Sequence, residues 1–298
     1  MNYRMLHESG ELQKIKDDLL KVLECCTICP RKCKVNRLKD EKGYCGTGRQ
    51  AKVASSNPHF GEEPPLTGRY GSGTIFFSSC SLLCSFCQNY EISHLNYGRE
   101  VSPLQLALMM LDLQSAGCHN INFVTPTHVI PQIIEALIPA VEKGLNIPLV
   151  YNCGGYENPE TLKLIEGIID IYLPDFKFWD NEIAMRYCNA GNYRDYTAKA
   201  VIQMHRQVGD LHINEENIAV KGLLVRHLIM PEGTAGTGNI MKFLAEEVST
   251  DAYVNLMDQY FPCGEAAGDS LIGRRITPEE FTKAYKQTVN AGIKRILI

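Results

Sequence analysis

Apolar positions recur at helical spacing over residues 11–24, where Leu12, Ile15, Leu19, Leu20 and Leu23 share one face and predict an amphipathic helix. Residues 25–73 lose that periodicity. They are rich in Gly, Pro, Lys and Arg, which predicts an irregular segment pinned by something other than a core. From residue 74 short β-rich runs alternate with amphipathic helices. Strands are predicted at 74–79, 120–125, 148–152, 170–173, 219–230 and 253–256, with a short last one at 294–298. Helices are predicted from 103 and near 129–143, 158–167, 181–189, 195–207, 238–248 and 278–291; Ser102-Pro103 reads as an N-cap followed by proline at the first helical position. Repeated βα units imply an α/β fold with a parallel sheet and right-handed crossovers. Six units suit an open, partial (βα)6 barrel better than a closed eight-stranded one, with ligands at the carboxyl ends of the strands. The change of texture divides the chain into an N-terminal cap, residues 1–72, and a barrel, residues 73–298.

The chain of 298 residues is 45% hydrophobic and 21% charged, which excludes disorder and collagen-like repeats. No run of about 18 apolar residues occurs, so no membrane span is expected. The start, from Met1 to Glu8, becomes charged too soon for a secretory signal, and a cytoplasmic location follows as the expectation. With 30 Lys+Arg against 34 Asp+Glu, the net charge of -4 argues against whole-protein coating of nucleic acid. The 12 cysteines are too sparse for a disulfide scaffold, and in a reducing compartment their clustering points to metal or catalysis. Eight fall in two groups: Cys25, Cys26, Cys29, Cys33 and Cys45, then Cys80, Cys84 and Cys87. Cys118, Cys153, Cys188 and Cys263 are scattered and read as core residues.

Cys80-Ser-Leu-Leu-Cys84-Ser-Phe-Cys87 directly follows the predicted strand 74–79. Three thiolates on one loop at the ligand-binding end of a sheet suit an iron–sulfur cluster, which usually takes four thiolates; three leave one iron open to a small molecule. A structural zinc site would need a fourth ligand that this spacing does not supply. This C-x3-C-x2-C run, with Phe86 before its last cysteine, resembles the signature of the radical S-adenosylmethionine (SAM) superfamily. The resemblance spans roughly residues 73–262, and Cys87-Gln-Asn-Tyr-Glu-Ile-Ser93 narrows it to the pyruvate formate-lyase activating enzyme group, in an uncharacterised branch. It implies a 4Fe-4S cluster on Cys80, Cys84 and Cys87, and S-adenosyl-L-methionine cleaved by one-electron reduction to a hydrogen-abstracting radical. It further implies Phe86 near the adenine, Asn152 as a polar SAM contact, and Asp175 and Lys177 of Asp175-Phe-Lys177 approaching SAM. Arg226, in the segment Arg226–Pro231, is implied at the methionine carboxylate, where a guanidinium fits best. The family's Gly-Gly-Glu after the second strand is missing here. Val124-Thr125-Pro126-Thr127-His128 stands in its place, with Thr125 as an acceptor for the SAM amine and His128 as a further polar candidate.

In the cap, Cys26, Cys29, Cys33 and Cys45 offer a closed site for a second iron–sulfur cluster or zinc, with Cys25 as the alternative to Cys26. Residues 25–52 carry eight Lys/Arg against two acids, a local +6 that leaves −10 for the remainder. That asymmetry predicts docking of an acidic electron donor, a flavodoxin or ferredoxin, through Arg31, Lys32, Lys34, Arg37 and Lys39. A solvated face or an RNA-binding surface would use the same charges. The expected function is therefore a radical SAM enzyme, with a glycyl-radical enzyme as a substrate by analogy. Modification of a small molecule, peptide or RNA is the enzymatic alternative, and a non-catalytic iron–sulfur or zinc binding module the other.

Overall fold

The computed structural model describes residues 1–298. Helices α1 (Asn2–Glu8) and α2 (Glu11–Val22) open the chain, joined through Gly10, whose left-handed backbone (φ 76°) permits the turn. The irregular segment ends earlier than its composition suggests. Strand β1 (Ala51–His59), the short α3 (Pro64–Thr67) and β2 (Ser72–Phe77) follow, and β1 pairs antiparallel with β2 from Val53–Phe77 to His59–Ser72. Ser55, Ser56, Asn57 and Pro58 hide β1 from a hydrophobic-pattern search, because only its first half is buried.

The rest of the chain follows the predicted alternation, with three short unpredicted elements added at residues 90–93, 99–101 and 212–213. In order come α4 (Tyr90–Ser93), β3 (Arg99–Val101), α5 (Pro103–Ser115), β4 (Ile121–Val124), α6 (Ile130–Glu142), β5 (Leu149–Cys153), α7 (Pro159–Leu164) and β6 (Ile171–Pro174). Then come α8 (Asn181–Cys188), α9 (Tyr193–Val208), β7 (His212–Ile213), β8 (Ala219–Leu228), α10 (Thr237–Phe243), β9 (Tyr253–Met257), α11 (Pro278–Asn290) and β10 (Arg295–Leu297). Helix α5 begins with the expected cap in full: Ser102 Oγ accepts from Gln105 N at 3.2 Å, and Gln105 Oε1 accepts from Ser102 N at 2.8 Å.

The sheet runs β10-β9-β8-β6-β5-β4-β2-β1-β3, and its members from β10 to β2 are all parallel. Both edges stay open, which gives the partial barrel. Alternation along the strands sorts their side chains onto two faces. Tyr151, Tyr172, Leu223 and Val225 pack outward in the main core, which also takes Tyr3, Leu12 and Leu19 from the N-terminal helices. Strand β1 and these helices thus cross the expected division at residue 72. Val150, Ile171, Leu173 and Leu224 face inward, where Leu66 of α3 joins them. Burying Leu66 there contributes on the order of 1.5–3 kcal/mol, enough to hold the α3 segment against the inside of the barrel.

Candidate cluster and cofactor site

The cysteine loop leaves β2 through Ser79, which takes a left-handed φ of 73°, and turns again at Leu83, φ 55°. Both turns fold the loop back on itself, so that its three cysteines are neighbours. Leu82 N donates to Cys80 Sγ at 3.3 Å, and Ser93 Oγ donates to Cys87 Sγ at 3.2 Å. Such donors suit sulfurs that carry negative charge. Burial pushes the Cys80 thiol up to about 12, with the neighbouring Cys84 and Cys87 adding to the effect. A polycation is what relieves that crowding, so the donor set fits an iron–sulfur centre. The thiols are neighbours without converging on one point. Cys188 Sγ donates to Cys84 Sγ at 3.0 Å, and ligation would require Cys84 to turn from Cys188 to its two loop partners.

The loop is held from below. Ser85 N donates to Tyr187 O at 2.9 Å, and Cys263 Sγ to Phe86 O at 3.2 Å. Phe86 is buried edge-on against Phe178 and Tyr260, with centroids 5.7 and 6.2 Å away, so its ring also anchors the loop by packing.

Asp175, Lys177, Asn152 and Arg226 lie together at the carboxyl ends of the strands. Lys177 Nζ donates to Asp175 Oδ2 at 2.5 Å. Burial opposes its charge, but the Asp175 carboxylate outweighs it and holds the lysine well above its ordinary value; Cys84 lies near enough to add to the effect. The adjoining turn requires a glycine: Gly155 has φ 79°, and a Cβ there would stand 2.1 Å from Asp175 O. Thr125, also left-handed at φ 61°, donates its N–H to Asn152 O at 2.9 Å. His128 is buried with Nε2 on Ser78 O at 2.8 Å, and burial lowers it to about 4, so it is a neutral prop of the loop's root.

Arg226 departs from its expected free state. Its Nε and Nη2 donate to the Glu63 carboxylate at 2.6 and 2.9 Å, Nη2 also to Glu62, and Nη1 to Asn152 Oδ1 at 3.3 Å. Asn255 Nδ2 donates to Glu63 at 2.7 Å. Both acids enter from the segment before α3, inside the barrel. Burial works against the Glu63 charge, but Arg226 beside it prevails and holds the carboxyl below its usual range. Nothing in the local sequence Glu62-Glu63-Pro64-Pro65 signals this contact, because the partner is 163 residues away.

The cap lies directly on the cysteine loop. Arg31 Nε donates to Ser81 O at 2.8 Å, its Nη groups donate to the carbonyls of Asn189 and Cys188, and its guanidinium stacks 3.9 Å over Tyr44. Tyr44 Oη in turn donates to Leu82 O at 3.3 Å. Arg37 is buried, donating to Gly48 O at 3.1 Å and His128 O at 2.8 Å. Two of the five residues expected to dock a partner are therefore internal struts, and Lys32, Lys34 and Lys39 alone are exposed. Of the cap cysteines, Cys26 and Cys29 are buried and Cys25 is exposed, which favours Cys26 over Cys25 as a ligand. Burial raises the Cys29 thiol, the Arg31 N–H opposes this, and Cys45 and Cys26 lie near enough to raise it further. Tyr44 N donates to Cys33 Sγ at 3.3 Å.

Residues 74–244 match the family model of the radical SAM superfamily. Over 295 residues the chain is 31% identical to the uncharacterized protein MJ0674 of Methanocaldococcus jannaschii, covering 93% of this chain and 80% of that one. Among solved structures, methylornithine synthase (PylB) is similar at a TM-score of 0.46 and 14% identity, over 75% of this chain and 70% of that one. No helix is long and apolar enough to cross a membrane.

Proposed function

The chain belongs to the radical SAM superfamily, and from that premise we propose how its residues carry out SAM cleavage and on what class of substrate. A 4Fe-4S cluster, when bound, delivers one electron that splits SAM into methionine and a hydrogen-abstracting 5′-deoxyadenosyl radical. Cys80, Cys84 and Cys87 would hold the cluster, and the donors on Cys80 and Cys87 would fix two of the thiolates. Lys177 and Asp175 stand between Cys84 and Arg226 and orient SAM by their paired charges, while Asn152 adds an amide contact. The outward packing of Phe86 limits its role to the edge of the adenine pocket. The observation that carries this reading is that Lys177 and Asp175, just past the end of β6, link the cysteine loop at Cys84 to Arg226 on the neighbouring strand β8.

The narrower reading is activation of a glycyl-radical enzyme in a reducing compartment. Its support is the resemblance of Cys87–Ser93, Asp175–Lys177 and Arg226–Pro231 to the activating-enzyme group. In the cap, Cys26, Cys29, Cys33 and Cys45 would hold a second metal, zinc or iron–sulfur, and fix the segment from which Arg31 and Tyr44 reach Ser81 O and Leu82 O to stiffen the cysteine loop. The test is anaerobic reconstitution followed by dithionite reduction with SAM. Methionine and 5′-deoxyadenosine should form in the wild type, while the Cys80/Cys84/Cys87→Ala variant should lose about four irons and all cleavage. Unchanged iron content in that variant would overturn the assignment. A glycyl-radical signal in electron paramagnetic resonance, on adding a candidate partner, tests the narrower reading separately.

A further inference from the structure

Beside the Lys177–Asp175 pair, the inside of the barrel sets one further cation, Arg226, against two carboxylates, Glu62 and Glu63. Arg226 keeps 17% of its side chain exposed, against 7% for Glu62 and 1% for Glu63. Glu63 is fully engaged, with both oxygens on Arg226 and a further bond from Asn255. Glu62 touches Arg226 through one oxygen only, and its other oxygen meets no donor. One buried carboxylate charge is thus unmatched, which is costly unless a cation completes the set.

A second observation points the same way. Asn152 is 6% exposed, its Oδ1 accepts from Arg226, and its Nδ2 has no partner although buried. Asn122, on the same inner face, is fully buried with neither amide atom bonded. Buried amides are ordinarily bonded, so these mark space shaped for another molecule's polar atoms. The set is a free carboxylate oxygen beside a free amide N–H, at a guanidinium. It fits a group carrying an amine and a carboxylate on one carbon.

We propose that Glu62 accepts from the α-amino group of SAM, with Asn152 Nδ2 donating to the carboxylate of the same amino-acid end. Glu63 is the positioning residue that locks Arg226 against Asn255. This rests on the reading above that SAM lies inside the barrel. It assigns the amine to a residue from the segment before α3, outside the region 74–244 that matches the family.

The test uses cluster-loaded protein and calorimetric titration with SAM and with an analogue lacking the α-amino group. Glu62→Gln should weaken SAM by about tenfold or more, the scale of one charge-assisted hydrogen bond, and leave the analogue's affinity unchanged. Visible absorbance of the cluster and the thermal midpoint confirm an intact fold. Should Glu62→Gln not hold its cluster, Glu62→Asp, one methylene shorter, gives the same comparison. Equal affinity of variant and wild type for SAM would overturn the inference, as would equal loss for both ligands, which would make Glu62 a support of Arg226 alone. If the wild type itself binds no SAM, the parent reading fails and this one with it.

Discussion

Replacing Arg226 by Met removes the one cation facing Glu62 and Glu63 while keeping most of the side-chain volume. Two carboxylates are then left buried against each other, and Asn152 Oδ1 loses its donor. Breaking a buried ion pair from one side costs about 3–5 kcal/mol, and the 17% exposure of Arg226 favours the lower end. For a chain of this length that is roughly 5–8 °C in melting temperature. The penalty should depend on pH with a definite sign. In the wild type Arg226 holds the Glu63 carboxyl below its ordinary 4.5, so its stabilisation is present above that pH and lost as pH falls through the lowered value. Without Arg226, burial alone acts and raises the carboxyl, so the variant loses stability as pH rises above 4.5. The gap between the two proteins should widen from pH 5 to pH 7.5. Urea unfolding of both proteins, followed by circular dichroism under anaerobic conditions, measures it. Adding Glu62→Gln and Glu63→Gln to Arg226→Met should recover much of the loss, since removing all the charges together leaves none unpaired. A penalty below about 1 kcal/mol, or one equal at both pH values, would refute the buried-pair reasoning.

Glu157 is buried between Thr127 Oγ1 at 2.5 Å and Tyr151 Oη at 2.9 Å, and burial pushes its carboxyl up to about 7. A raised acid is stabilising at low pH, so stability should fall by about 3 kcal/mol between pH 4.5 and 7, and Glu157→Gln should flatten that slope in a pH series of melts. For electron supply, Lys32→Glu/Lys34→Glu/Lys39→Glu should keep dithionite-driven SAM cleavage and lose most flavodoxin-driven cleavage. Survival of both rates ends the docking proposal and makes RNA retention on a filter the next assay. Arg31 is left out because its reversal would break three carbonyl contacts with the catalytic loop and its neighbours. Elemental analysis of the Cys80/Cys84/Cys87→Ala variant should still find metal, and adding Cys29→Ser should remove it.

Features written in contiguous residues were legible from the chain alone. The βα alternation, the Ser102 cap and the C-x3-C-x2-C loop each need only neighbours a few positions apart, so local periodicity and spacing carry them. Asn152, Asp175 and Arg226 were singled out through the family resemblance of their segments, and the structure adds that parallel strands in register bring their ends together, as in the Asp175–Arg226 bridge. The tertiary structure decided what required distant chain segments to meet. Glu62 and Glu63 look like surface acids before two prolines until Leu66 docks inside the barrel and carries them to Arg226. Arg31 and Arg37 read as exposed positive charge until the cap folds onto the cysteine loop and uses their donors on buried carbonyls. Strand β1 stayed hidden because half of it is polar, and its pairing with β2 is set by backbone hydrogen bonds that side-chain pattern does not encode. A charge's sign is fixed by the sequence, but whether it faces water, a partner or its own opposite depends on burial, which only the folded chain supplies.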